Sequence, residues 1–103
     1  MGGEAAKTQR PVLMLFTAAT CAPCQVLKAR LRGIDLSSYE FKEIECTDAN
    51  NANYARLMGV RAYPTLVIVD GQAERKRSSG SPADLAGWLA VGRASNGVPR
   101  ANP

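Results

Sequence analysis

The chain reads Pro11-Val-Leu-Met-Leu-Phe-Thr-Ala-Ala-Thr-Cys-Ala-Pro-Cys24 and then continues in residues that favour helices. Residues 12–18 form a short and nearly continuous apolar run, which is typical of a strand covered on both faces of a sheet. Residues 22–32 are rich in helix formers, and Gly33 follows them. The pattern therefore places Cys21 at the N-terminus of a helix, where free backbone N–H groups and the helix dipole favour a thiolate.

Composition and length predict one small domain without a nucleic-acid or membrane partner. The 103 residues are 46% hydrophobic, which suits one modest core, and the net charge is +4. The basic residues are scattered without interleaved aromatic residues, and no stretch is long enough to span a membrane. The first seven residues lack an apolar signal region, so we expect a cytoplasmic protein. We also expect a monomer. In a reducing compartment, a close Cys pair favours catalysis or metal binding over a permanent disulfide.

Five further elements are predicted beyond the first helix. They are a strand at 39–46, a helix at 51–58 that ends before Gly59, strands at 65–69 and 74–78, and a helix that opens at Ser81-Pro82. We expect the two helices to bury the following apolar residues: Tyr54, Leu57, Met58, Leu85, Trp88 and Leu89. The Asp70-Gly71 pair is a hairpin signal, so the last strand should run antiparallel to the strand before it.

The resulting order is β-α-β-α-β-β-α. Strand–helix–strand units favour parallel pairing, and the hairpin adds an antiparallel edge strand. We therefore predict an α/β fold with a four-stranded mixed sheet and three helices that cover both faces. The domain is expected at 11–92, between a flexible arm at 1–10 and a flexible tail at 93–103.

A CxxC motif between the first strand and the first helix of this order resembles the thioredoxin superfamily. A second motif supports the resemblance: Val60-Arg-Ala-Tyr-Pro-Thr65 is similar to the family segment that ends in a cis-proline. The resemblance covers residues 11–92 and implies a thioredoxin-like fold with disulfide oxidoreductase and electron-transport activity.

The resemblance also implies roles for individual residues. Cys21 corresponds to the attacking cysteine, and Cys24 to the more buried resolving cysteine of a redox-active disulfide. Pro64 corresponds to the cis-proline that faces the cysteines and exposes the Tyr63 backbone to an extended substrate. Three neighbours of the cysteines complete the expected substrate-binding surface: Thr20, Ala22 and Pro23.

The chain departs from the thioredoxin pattern in several places. Thr20 stands where thioredoxins usually have Trp, and Leu15 replaces the buried Asp that accepts the proton of the second cysteine. A substitute carboxylate would be Glu43 or Glu45, although surface exposure is the favoured interpretation for both. The first strand and helix of full-length thioredoxins are missing, which gives the domain a glutaredoxin-like length. The glutaredoxin glutathione motifs are not matched, so we interpret the chain as a short, divergent thioredoxin-like protein.

The predicted function is reduction of protein disulfides through a mixed disulfide, with electrons from a thioredoxin-reductase-type donor or a small thiol. No cofactor or metal is expected, because the chain has no His and its third thiol, Cys46, is predicted to be a buried core residue. Four alternatives remain open. They are a glutathione-dependent glutaredoxin-like enzyme, a metal or iron–sulfur site bridged between chains, a thioredoxin-fold binding module, and an isomerase or oxidase of an oxidising compartment.

Overall fold

The computed structural model describes residues 10–97. These residues form seven elements in the predicted order: β1 (Val12–Thr17), α1 (Ala22–Arg32), β2 (Glu40–Glu45), α2 (Ala49–Leu57), β3 (Thr65–Asp70), β4 (Ala73–Ser79) and α3 (Leu85–Gly97). The strands form one mixed sheet in the order β2-β1-β3-β4. The predicted thioredoxin-like α/β fold class is confirmed.

The pairing of β3 differs from the expectation. β1 is parallel to β2, but β3 is antiparallel to β1 rather than parallel. The reason is that Phe16 pairs with both Ile44 and Thr65, so β2 ends and β3 begins at the same edge of the sheet. The chain between β2 and β3 leaves from this edge and returns to it. This edge is also where β1 leads into α1.

The hairpin between β3 and β4 is antiparallel, as predicted. Its two loop residues are Gly71 and Gln72, because Asp70 still pairs with Ala73. Gly71 has φ +65°, a conformation that glycine adopts without steric cost. The turn therefore lies one residue later than the Asp70-Gly71 signal predicted.

Two apolar clusters cover the two faces of the sheet. One joins the sheet to α1 and α3, and its buried members are Leu13, Leu15, Leu27, Leu31, Tyr39, Leu66, Ile68, Leu85 and Leu89. The other lies on the α2 face and contains Phe16, Cys46, Ala55, Val60 and Val67. Successive residues of β1 and β3 point to opposite faces, which is why one apolar run supplies both clusters.

The α2 helix presents a different face from the one predicted. It begins at Ala49 because the Asp48 side chain caps it, accepting from the N–H groups of Asn50 and Asn51. The buried residue is Ala55, while Tyr54 is 40% exposed and Leu57 is 77% exposed. A stripe of small residues thus packs against the sheet, and the expected burial of Tyr54 and Leu57 is wrong.

The α3 helix begins at Leu85, later than the predicted start at Ser81-Pro82. Asp84 provides the cap, because its Oδ1 accepts from the Gly87 N–H at 3.0 Å. Leu85 and Leu89 are buried as predicted, and Trp88 is half-buried.

The predicted flexible arm and tail stay predictions. The tail was expected from residue 93, but α3 continues to Gly97. Residues 98–103 of that tail and residues 1–9 of the predicted arm lie outside the described residues.

Candidate active site

The junction of β1 and α1 holds Cys21 and Cys24, which form a disulfide with a Cα–Cα distance of 5.2 Å. Cys21 is the N-cap of α1, with an extended backbone at φ −97° and ψ 104°. Its Sγ accepts a hydrogen bond from the Cys24 N–H at 3.1 Å. One of the free N–H groups of the first helical turn is therefore directed at the Cys21 sulfur.

The two cysteines differ in exposure. Cys21 is half-buried, whereas Cys24 is 0% exposed and belongs to the buried stripe of α1 with Leu27 and Leu31. The stripe has the three- and four-residue spacing of one helix face. A molecule arriving from solvent therefore reaches the Cys21 sulfur and not that of Cys24.

The residues around Cys21 form an exposed rim. Thr20, Ala22 and Pro23 are all exposed. Pro23 lies within the first turn of α1, where its missing N–H costs no helical hydrogen bond. The exposed surface that these three residues form beside the cysteines is therefore uncharged.

The Tyr63–Pro64 peptide bond is cis, the isomer that the resemblance implies. Thr65 pairs with Phe16, so Pro64 lies level with the carboxyl end of β1, at the same edge of the sheet as the cysteines. Pro64 is buried, and its carbonyl accepts from the Gly80 N–H at 2.7 Å. Within residues 10–97, the backbone N–H and C=O of Tyr63 have no hydrogen-bond partner.

Cys46 is a free, buried cysteine, which confirms the prediction of a core thiol. It follows β2 and belongs to the α2 face, and its Sγ donates to the carbonyl oxygens of Ile44 at 3.5 Å and Asn51 at 3.8 Å. Tyr63 packs against the cluster that contains Cys46, and interaction with the Cys46 side chain, together with the smaller effect of burial, raises the pKa of the Tyr63 phenol. The third thiol therefore contacts the side chain of the residue that precedes the cis-proline.

Glu43 and Glu45, the two carboxylates expected as substitutes for the family's buried Asp, form no hydrogen bond with Cys24. Leu15 is fully buried in the α1 face cluster. Glu43 forms an ion pair with Lys28 at 2.9 Å, and Glu45 accepts from the N–H and hydroxyl of Thr47 at 3.1 and 2.7 Å. Both carboxylates thus have partners of their own, and Glu45 is half-buried rather than exposed.

Thr17 is a residue of this region that the sequence analysis missed. It is 1% exposed, and among residues 10–97 its Oγ1 is the buried side-chain polar atom that lacks a hydrogen-bond partner. The alternation of Leu13, Leu15 and Thr17 along β1 was the available signal, because it places Thr17 on the α1 face. Residues 10–97 contain no group of three or more Cys, Asp or Glu side chains suited to a metal ion.

Comparison with known proteins agrees with the fold and the cysteine pair. The sequence model of the thioredoxin family matches residues 3–90, and the chain belongs to this family. A search of curated proteins found no match. Family membership and the Cys21–Cys24 pair together support a thiol–disulfide oxidoreductase.

Solved thioredoxin structures are similar to the chain in fold. Thioredoxin from Fasciola hepatica has 20% identity and a TM-score of 0.71, with 92% of this chain and 89% of that chain covered. The germline-specific thioredoxin Deadhead of Drosophila melanogaster has 16% identity and a TM-score of 0.72, with coverages of 87% and 89%. A thioredoxin f2 crystallised in complex with ferredoxin:thioredoxin reductase has 20% identity and a TM-score of 0.69, with coverages of 88% and 82%. At these identities, the likeness concerns the fold.

Within residues 10–97, none of the three helices is both long enough and apolar enough to span a membrane.

Proposed function

We propose that this protein reduces disulfide bonds of other proteins through the Cys21–Cys24 dithiol. The observation that carries the proposal is the asymmetry of the pair. Cys21 is reachable from solvent and receives an N–H hydrogen bond at a helix N-terminus, while Cys24 is fully buried behind it. An accessible thiolate and a protected second thiol are what a two-step exchange requires.

The first step is attack on the substrate. The Cys21 thiolate attacks one sulfur of the substrate disulfide and forms a mixed disulfide, while the other substrate sulfur leaves as a thiolate and takes up a proton. The backbone groups of Tyr63 that lack partners would pair with an extended substrate segment, as strands added to a sheet edge do. Pro64 and the rim residues Thr20, Ala22 and Pro23 would border this segment.

The second step regenerates the oxidised protein. Cys24, as a thiolate, attacks the Cys21 sulfur of the mixed disulfide and releases the second substrate thiol. The products are the Cys21–Cys24 disulfide and a reduced substrate. Two electrons have then passed from the protein to the substrate, and a donor must return them.

The proposed donor is a reductase of the thioredoxin-reductase type or a small thiol. The support for a reductase is family membership and the thioredoxin f2 relative, which is described in complex with its own reductase. We further propose that the domain acts as a monomer in the cytoplasm, where a reducing environment sustains net reduction.

The test is insulin reduction with two electron-supply systems. Thioredoxin reductase with NADPH is compared with glutathione, glutathione reductase and NADPH at matched protein concentration. We expect faster turnover with thioredoxin reductase or with dithiothreitol alone. Faster turnover with glutathione would favour a glutaredoxin-like enzyme, and no turnover with any donor would favour a binding module. Cys46→Ala protein is the matched control, because it lacks a thiol outside the proposed pair.

A further inference from the structure

Thr17 carries a polar group that the fold does not use. Its hydroxyl is almost fully excluded from solvent, and Oγ1 has no partner among the described residues. Burial of an unpaired hydroxyl destabilises a protein relative to an apolar side chain of the same shape. Val would fill this position without that cost, so the hydroxyl calls for a functional explanation.

The position of Thr17 follows from the packing of β1 against α1. Leu15 and Leu27 belong to the same cluster between the sheet and α1. Thr17 lies two residues after Leu15, nearer the carboxyl end of β1 and on the same face of the sheet. Cys24 lies one helical turn before Leu27, nearer the amino end of α1, and belongs to the same buried stripe. Because β1 leads directly into α1, the two steps run toward the same end of the fold, and they bring Thr17 and Cys24 to the same end of the interface between β1 and α1. In the oxidised protein the two side chains form no hydrogen bond.

We propose that the Thr17 hydroxyl donates a hydrogen bond to the Cys24 sulfur when this cysteine becomes a thiolate, and so positions it for attack on the mixed disulfide. The inference rests on the proposed function and names a positioning residue for its second step. Cys24 gives its proton to water, its sulfur bonds to that of Cys21 as the Cys21–substrate S–S bond breaks, and the substrate sulfur leaves as a thiolate and takes up a proton from water. Thr17 gives up no proton in this step. It supplies the donor that a buried thiolate needs and that Leu15 cannot provide.

The charged groups near Cys24 have other partners. From β2, Glu45 is level with Thr17 in the sheet and Glu43 is level with Leu15. Glu45 is held by Thr47, and Glu43 is paired with Lys28 of α1.

The charged residue of β3, the strand on the other side of β1, is Asp70, which pairs with Arg75 at 2.9 Å. From β3, the residues that join the α1 face cluster are Leu66 and Ile68. Tyr63 and Cys46 belong to the cluster on the opposite face.

The experiment follows both thiol steps with 5,5′-dithiobis(2-nitrobenzoate) in stopped flow. One equivalent of this reagent reacts with reduced protein in two phases, each of which releases one thionitrobenzoate. The first phase is attack by Cys21, and the second is attack by Cys24 on the mixed disulfide. The variants are Thr17→Val, which removes the hydroxyl and keeps the shape, and Thr17→Ser, which keeps the hydroxyl.

We expect Thr17→Val to leave the first phase unchanged and to move the pH midpoint of the second phase upward. A charge-assisted hydrogen bond corresponds to a loss of about tenfold in thiolate population at pH 7. A more basic thiolate is more nucleophilic, so the second phase should be only about threefold slower at pH 7 and about threefold faster above the new midpoint. Thr17→Ser should restore the wild-type profile, and the crossing of the two profiles is a result that a purely structural role would not produce.

Four results would overturn the inference. One is an unchanged second phase in Thr17→Val, and another is the same loss in Thr17→Ser. The third is a shifted midpoint in Glu45→Gln with none in Thr17→Val, which would assign the effect to the carboxylate. A lower urea midpoint for oxidised Thr17→Val would also count against an unpaired hydroxyl. Failure of the proposed function is distinguishable, because wild-type protein would then fail to reduce insulin whatever the two phases show.

Discussion

Cys21 and Cys46 lie at the same edge of the sheet, after β1 and β2, but their polar surroundings are opposite. The Cys21 sulfur accepts an N–H hydrogen bond at a helix N-terminus. The Cys46 thiol donates to two backbone carbonyl oxygens and is 8% exposed. N–H donors favour a negative sulfur, whereas carbonyl oxygens favour the S–H form. The same residue type thus meets an N–H donor at a helix N-terminus in one place and carbonyl oxygens in the other, and the local backbone sets that difference.

The largest expected effect is on catalysis. Cys21→Ser should lower insulin reduction about a thousandfold or more, because the proposed nucleophile is removed. Cys46→Ala should retain activity within about twofold, at a stability cost of about 0.5–3 kcal/mol for a buried substitution. Turnover and urea unfolding of both variants check the comparison. Equal losses of activity in the two variants would contradict the division between them.

The next effect concerns the apolar cluster on the α1 face of the sheet. Leu15→Ala should destabilise the protein by about 2–5 kcal/mol, because it leaves a cavity in the α1 face cluster. Leu57→Ala is the matched control and should change stability by about 0.5 kcal/mol or less, because Leu57 is 77% exposed. Urea unfolding of the two variants measures both values. A loss at Leu57 as large as that at Leu15 would mean that the observed face of α2 is wrong.

A smaller effect is expected in thiol reactivity. In reduced protein at neutral pH, limiting iodoacetamide should label Cys21 at least about tenfold faster than Cys46, because thiolates react and buried thiols are shielded. Cys24, which is fully buried, should also follow Cys21. Peptide mass spectrometry after brief labelling gives the order. In oxidised protein, thiol counting after denaturation should find one thiol, that of Cys46.

The smallest expected effect is on the titration of Tyr63. Its interaction with the Cys46 side chain raises the pKa of the phenol, so Cys46→Ala should lower that pKa toward about 10. A raised pKa means that this contribution to stability is present below the unfolded-state pKa and is lost as the pH rises through the folded-state pKa. Absorbance titration at 295 nm, with Tyr63→Phe to identify the signal, measures the shift. An unchanged Tyr63 midpoint in Cys46→Ala would remove the contact from the account.

The fold near the cysteines could be predicted well from sequence. The apolar run before Cys21 and the helix formers after it predicted β1 to within one residue and α1 at its observed bounds. These elements are set by local composition and by Gly33, which ends the helix. The face of α2 could not be predicted in this way, because two alanines pack against the sheet while larger apolar residues remain exposed. Helix periodicity ranks large apolar residues as buried and cannot detect a close approach made by small ones.

The two motifs of the candidate site could be predicted from sequence, but the contacts of the residues around them could not. The CxxC and Tyr-Pro-Thr motifs marked two segments that the sheet register brings to one edge. The contact of Cys46 with Tyr63 and the unpaired hydroxyl of Thr17 depend on tertiary packing between distant segments. No local sequence pattern encodes the Cys46–Tyr63 contact or the missing partner of the Thr17 hydroxyl. The roles of the predicted site residues in catalysis stay predictions until they are measured.

The central claim is that Cys21 exchanges disulfides with protein substrates and that Cys24 resolves the product. The most direct test is to incubate reduced Cys24→Ser protein with insulin, quench with acid, and map disulfide-linked peptides by mass spectrometry. We expect a stable adduct of an insulin cysteine with Cys21, which wild-type protein releases as it forms the Cys21–Cys24 disulfide. An adduct on Cys46, or no adduct with Cys21 under conditions in which dithiothreitol reduces insulin, would contradict it.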